Sequence, residues 1–321
     1  MAEEIAVEAS MQSALNELEI QRKKISELKT KAYLFLAAGA IIIAIGVFMS
    51  SLLIAAAIIG GASIITSVVF FSNAGQKFTE YRHEFKQRVV AIALKSVDPS
   101  LEIEYKYGLP EDDFINSQLF TQQPDRYSSQ DQIYGNAGKT CFSFSEVHAE
   151  YKTETQTKNG RQEHWHTILK GIVFCADFNK HFNGITVVKP KDMGSTLGAW
   201  ISDKMPIFSS SSKELVKLEN PEFNKAFITH STDQVEARYI LTPTMMERLC
   251  ELNNQSNATI SVSFIGTYVY IAFPLEKDYF EPPVFKSLLT TESLNEDLNV
   301  IRFMYGIINE LDLNTRIWGK E

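Results

Sequence analysis

No charged residue occurs between Ala32 and Gln76, and the apolar side chains in that run fill every face of a helix. A helix rises about 1.5 Å per residue and a bilayer core is about 30 Å thick, so a run of roughly 45 residues is long enough to cross twice. The most polar point in its middle is Met49-Ser50-Ser51. The pattern therefore predicts one helix over 33–48 and a second over 52–71, joined by almost no loop. Backbone groups inside lipid must be bonded within their own segment, which favours a helical hairpin over extended structure. Gly60 and Gly61, with Ala55 to Ala57 and Ala62, give the second helix small residues for close packing. The alternative is a buried core helix pair in a soluble protein, against which stand the apolar residues that surround the whole of each helix. A signal peptide would be shorter, nearer Met1, and followed by a cleavage site.

On either side of this run the pattern changes. Over 1–30, Met11, Leu18 and Ile25 recur at seven-residue intervals, with Ala14 and Leu28 at d-like positions and Gln21 interrupting the stripe. This predicts an amphipathic helix, either frayed or self-associating. Over 77–97, Phe78, Tyr81, Phe85, Val89 and Ile92 follow at three- and four-residue spacing, predicting a juxtamembrane helix that ends near Asp98-Pro99 and docks on the domain after it.

The remainder, 98–321, reads as a single α+β domain rich in strands with late helices. Strands are expected at 101–105, 140–147, 164–178, 185–188, 215–218 and 226–229. Lys158-Asn159-Gly160 turns a long hairpin, Ile265-Gly266-Thr267 a second one between 259–264 and 268–273, and 121–132 reads as loop. Thr242-Pro243 opens a helix carrying Met246, Leu249 and Leu252, and another covers about 294–311.

Charge sets the topology. Arg22, Lys23, Lys24, Lys29 and Lys31 precede the run, Lys77, Arg82, Lys86, Arg88 and Lys95 follow it, and the tip has no charge. The positive-inside rule places both ends in the cytoplasm and Ser50-Ser51 outside. The same basic collar suits anionic lipid headgroups. A net charge of −8 argues against nucleic acid as a partner. Cys141, Cys175 and Cys250 are odd in number and widely spaced, which is no disulfide framework. The sequons at Asn254 and Asn257 lie on the cytoplasmic side of that topology, away from any glycosylation machinery.

Candidate chemistry is sparse. Gly135 to Thr140, GNAGKT, ends like a phosphate-binding loop, but Ile133 stands where a glycine is needed and a strand follows the threonine. His164 and His166 share one strand face beside Glu163, yet no third metal ligand is signalled, His148 and His181 are unanchored, and Trp165 fits ordinary sheet packing. No cysteine has a CxxC neighbour. Leu197, Trp200, Ile201 and Met205, near Lys189, Lys191 and Lys204, form a short amphipathic stripe that packs on the domain or lies on a leaflet. Asp233, Glu236 and Arg238 read as mutual charge pairs. No catalytic, cofactor-binding or metal site is assigned, and no cofactor is expected.

Four blocks resemble a bacterial membrane-protein family classed as a domain of unknown function and often encoded near LemA-type proteins. They are KGIVFCADFNKHFNG (170–184), the stretch from Glu214 to Leu249, ISVSFIGTYVYIAF (260–273) and LNTRIW (313–318). With the double apolar helix, the resemblance extends over most of 30–321. It implies a membrane-anchored protein, and it brings no catalytic residues. The leading expectation is a non-enzymatic interaction module held in a bacterial inner membrane, binding a protein partner or lipid headgroups, with a second copy of itself as a further partner. The alternatives are a metal-dependent hydrolase using His164 and His166, and a membrane-shaping hairpin that could act in a host membrane.

Overall fold

The computed structural model describes residues 2–157, 160–191, 214–256, 259–275, 277–290 and 292–313. They fall into two compact units, one of 1–96 with 280–298 and one of 97–279 with 299–321.

The first unit is built on two long antiparallel helices. Helix α1 runs Ala2–Phe48 without a break between the amphipathic and apolar parts. A 3₁₀ turn at Ser50–Leu52 reverses the chain at the expected place. Helix α2, Leu53–Phe85, continues through a π turn at Lys86–Val90 into α3, Ala91–Val97. Asp98-Pro99 follows directly, as the proline predicts.

The second unit is a nine-stranded sheet in which every pairing is antiparallel, in the order β1-β2-β3-β4-β9-β8-β5-β7-β6. The strands are β1 Glu102–Glu104, β2 Arg126–Ala137, β3 Thr140–Thr157, β4 Gly160–Asp177, β5 Thr186–Pro190, β6 Glu214–Leu215, β7 Phe227–Ser231, β8 Ser261–Ile265 and β9 Tyr268–Pro274. Gly266, with φ +61, makes the β8–β9 turn that only a residue without Cβ adopts freely. One face of the sheet carries Val147, Ala149, Val173 and Ala272 under Leu109, Phe114, Leu119 and Phe120, from helix α4 (Glu111–Asn116) and its flanks. On the other, Phe142 stacks on Phe174 at 5.7 Å and meets Tyr305 edge-on at 5.9 Å, and Phe273 meets Phe303 at 5.6 Å. Phe303 and Tyr305 belong to the last helix, α8, Glu292–Glu310.

This is the α+β architecture that the hydrophobic pattern predicts, with three local corrections. The polar stretch 121–132 is loop only to Asp125; from Arg126 it is strand β2. Its few apolar side chains suffice because Ile133 is fully buried, while a bulge at Asp131 (φ 56) breaks the alternation. The strand expected at 215–218 is only the two residues of β6, Glu214–Leu215, and the link to the strand expected at 226–229, which is β7, is helical: Asn220 accepts from the N–H groups of Glu222 and Phe223, and Pro221 opens helix α5, Pro221–Ala226. Asp233, Glu236 and Arg238 do not pair with one another. Asp233 caps α6 (Gln234–Ile240), Glu236 accepts from the N–H groups of Asn183 and Gly184, and Arg238 donates to Gln234. Helix α7, Pro243–Gln255, starts on Thr242 as expected.

Candidate membrane-inserting site

Helices α1 and α2 meet along a seam whose period is seven. On α1 it passes through Leu18, Ile25, Ala32, Gly39 and Gly46, all buried. On α2 it passes through Gly60, Ser67, Ala74 and Tyr81, with Ala56 and Phe85 at its ends, and these too are buried. That spacing is the signature of coiled-coil packing. The sizes of the seam residues change abruptly where the charges stop, at Lys31 and Lys77.

Beyond that level the seam is made of small residues. The backbones lie so close that a Cβ on Gly39 would sit 2.9 Å from the Gly60 carbonyl oxygen, and one on Gly46 would overlap the Ala56 methyl. Ser67 donates to the Ala32 carbonyl and Ser63 to the Phe35 carbonyl, each at 2.7 Å. At the same end Tyr33 meets Phe71 edge-on at 5.0 Å and Phe35 stacks on Phe70 at 5.6 Å. Outward, Leu34, Ile41, Val47, Ile54, Ile58 and Ile65 are exposed, and Phe48 at the tip is 92% exposed. Only 17% of the most apolar window of each helix is buried, whereas a core helix would be mostly covered. Both helices are long and apolar enough to cross a membrane. Of the small residues expected to serve packing, Ala56 and Gly60 do so; a Cβ on Gly61 would meet nothing.

On the charged side of Lys31 the seam is filled by large side chains and closed by polar bonds. Leu18, Ile25, Tyr81 and Val89 are at most 1% exposed. Gln21, the residue that interrupts the stripe, donates to Glu84 at 2.7 Å. The Glu19 carboxylate takes two hydrogen bonds from Arg22 and one from the Leu288 N–H. The Arg22 partnership first, and the Leu288 bond with it, outweigh burial and hold the Glu19 pKa at about 2. Arg22 also donates to the Val284 carbonyl, Tyr81 to that of Pro283, and Lys86 pairs with Glu281 at 2.7 Å. Segment 280–290 is thus strapped to the helix pair.

In the sheet unit, β3 and β4 outrun their neighbours. Among the described residues β2 pairs with the hairpin only as far as Glu150 and β9 only as far as Gly171, and beyond them the hairpin is a two-stranded arm. His164 and His166 lie on this arm, opposite Thr153 and Tyr151. His166 stacks on Tyr151 at 4.9 Å and its Nε2 lies 2.8 Å from the Thr153 hydroxyl. Trp165, on the other face, is covered by Arg126 at 4.0 Å. Among the described residues no three potential ligands converge. His148 lies 3.7 Å from Glu150, and His181 is exposed. Burial pushes the Cys175 thiol up to about 12 and raises that of Cys250. GNAGKT is the end of β2 and the turn into β3.

A cavity of about 180 Å³ sits at the base of the arm, lined by Ser128, Glu146, His148, Lys170, Asp278 and Tyr279 among others. Its charges are already engaged: Glu146 accepts from the Tyr279 N–H, and Lys170 pairs with Asp278 at 3.0 Å. The Trp200 stripe lies outside the described residues, as does most of the LNTRIW block.

Residues 167–313 match the family model of a protein of unknown function, DUF3137. That stretch contains three of the four resembling blocks, so the resemblance to an uncharacterised family holds there; a link to LemA-type proteins is no part of the match. No curated protein matches the chain. Among solved structures, the crystal structure of the mycobacterial trehalose monomycolate transport factor A, TtfA, matches at 10% identity and a TM-score of 0.34, covering 72% of this chain and 95% of that one. A likeness so low carries no argument.

The sequence reading missed the seam on α1. Ala32, Gly39 and Gly46 continue the Met11, Leu18, Ile25 series without a break. The signal was the spacing itself, hidden because residue size drops while the period persists.

Proposed function

We propose that the α1–α2 hairpin inserts in a lipid bilayer and anchors the protein there. The observation that carries this reading is the apolar surface from Tyr33 to Phe71, exposed on the faces of both helices that turn away from their shared seam. A protein partner would cover one side of such a pair; only lipid surrounds it. The basic residues on either side favour both chain ends on the cytoplasmic side, and the family resemblance favours a bacterial inner membrane. The sheet unit then serves as a non-catalytic interaction module for a protein or a lipid headgroup. Two features support that role: the open edges of the β3–β4 arm and the internal pairing of the cavity's charges.

The test is extraction of the full chain from native membranes. Carbonate at high pH should leave it in the pellet and detergent should release it. Release by carbonate or salt alone would overturn the anchor. Turnover by the purified chain that is lost in a single polar variant, such as His166→Ala, would overturn the non-catalytic reading.

A further inference from the structure

From the length and chemistry of the hairpin we infer that its tip ends inside the far leaflet, among acyl chains and glycerol groups, and never emerges into water. The inference rests on the membrane-anchor reading and adds to it the depth and the lipid contact of residues 48–53.

Length comes first. The apolar side of the hairpin starts at the level where Tyr33 meets Phe71 and the Ser67 hydroxyl meets the Ala32 carbonyl. From Ala32 to Phe48 the helix rises about 25 Å. A hydrocarbon core is about 30 Å thick, and any tilt shortens the reach further. Helix α2 cannot extend it, because the 3₁₀ turn at Ser50–Leu52 joins the two helices at a common level.

Chemistry comes second. A loop that enters water normally carries charged or strongly polar groups, and aromatic side chains with a polar edge mark the interface. This tip instead presents Phe48 (92% exposed), Met49, Leu52, Leu53 and Ile54. Its backbone is largely self-bonded: Met49 N–H donates to the Ile45 carbonyl and Leu52 N–H to that of Met49, each at 2.8 Å. A turn closed in this way can remain in a medium without water. Ser50 and Ser51 are its polar side chains, suited to the ester groups at the far glycerol level. The opposite end bears the whole basic collar, with Lys29 lying 4.8 Å over the Phe78 ring. The hairpin is polar at one end only, like a wedge driven from one side.

The experiment places single cysteines in the full chain at Ser50→Cys and Ser51→Cys, expressed in a bacterial inner membrane. A control carries a short Gly-Ser loop with one cysteine inserted between Ser50 and Ser51, long enough to reach water. Spheroplasts and inverted vesicles are each treated with a membrane-impermeant maleimide, the unsubstituted chain giving the background of Cys141, Cys175 and Cys250. The expected result is that the control labels from one side, while Ser50→Cys and Ser51→Cys label at least tenfold more slowly from both sides and match the control in detergent. Labelling at the control's rate from the far side overturns the inference and leaves the anchor standing. A chain that carbonate washes from the same membranes overturns both. To separate lipid from a protein cover, the purified variants are placed in phosphatidylcholine–phosphatidylglycerol vesicles; protection should persist, and its loss there would assign the shield to a protein and overturn the lipid contact.

Discussion

On the charged side of Lys31 the α1–α2 seam is packed by Leu18, Ile25, Tyr81 and Phe85; on the apolar side the same seven-residue repeat carries Ala32, Gly39 and Gly46 against Gly60, Ala56 and Ser67. The register is common and the residue sizes are opposite. In water, burying large apolar side chains between helices is itself favourable, by roughly 25 cal/mol per Å². Among lipid tails that gain disappears, because a leucine is as well solvated outside the seam as within it. Association then depends on close backbone approach and on hydrogen bonds between helices. On the anchor proposed above, the switch in size marks the solvent boundary independently of hydropathy, and it falls where the charges end.

That comparison is most sharply broken by truncating the same kind of side chain on the two sides. Leu18→Ala removes a fully buried side chain from the water half and should cost about 3 kcal/mol, seen as faster hydrogen exchange over 11–29 and 80–90. Leu34→Ala, whose side chain is 65% exposed in the lipid half, should change exchange by less than about 0.5 kcal/mol. Equal effects would mean that Leu34 is packed against protein and does not face outward.

Glu19 tests the strap. Glu19→Ala leaves Arg22 and the Leu288 N–H without their carboxylate and should cost about 3 kcal/mol, releasing segment 280–290 to proteolysis. Acid should do the same without mutation. The folded pKa is held at about 2 against an ordinary 4.5, so the contribution is complete above pH 4.5 and is lost as the pH falls from 4.5 toward 2. Exchange at the Leu288 amide, followed from pH 6 to pH 2.5, should rise beyond its intrinsic pH dependence in that window only. A wild-type profile indistinguishable from that of Glu19→Ala would remove the pair from the account.

Gly46→Val inverts the logic, since it adds volume where the seam has none. The new side chain would overlap the Ala56 methyl, and the helix ends should spread at a cost of about 2 kcal/mol. Spin labels at Val47 and Leu53, measured by pulsed dipolar spectroscopy in lipid, should move apart. Gly61→Val, a residue away from Gly60 but facing open space, should leave the distance unchanged.

How much of this was legible depended on the kind of signal. The hairpin, the α7 start at Thr242-Pro243 and the β3–β4 and β8–β9 hairpins were legible because their patterns are local. Strand β2 was not: Arg126 to Gln132 offers only Tyr127 as an apolar residue, and it becomes a strand by pairing with β3 across a bulge. Asp233 and Glu236 looked like partners of Arg238 because charges close in sequence suggest pairing. In the fold their oxygens are used by backbone N–H groups, some of them about fifty residues away. The glycine seam was concealed by composition. Gly39 and Gly46 look like breaks in an apolar run until their spacing to Leu18 and Ile25 is counted.

The smallest effect discriminates most finely between the two halves. Ser67 donates to the Ala32 carbonyl at 2.7 Å across the seam, at the first layer beyond the charges. Ser67→Ala keeps the residue small and removes only the hydroxyl. Hydrogen bonds between membrane helices average about 0.6 kcal/mol, because an unpaired serine in lipid bonds back to its own helix. The expected loss is therefore about 0.6 kcal/mol of hairpin closure, with no change in membrane retention. If Ser67 instead lay in water, its hydroxyl would find solvent and the loss would shrink toward zero. A loss well above 1.5 kcal/mol would point the other way, to a layer so dry that the Ala32 carbonyl has no substitute partner. Measured beside Ser63→Ala, which removes the equivalent bond to Phe35 one turn nearer the tip, the pair of values gives a depth profile. An increase from Ser67 to Ser63 would place the bilayer surface between those two levels, and equal losses would place it on the water side of Ala32.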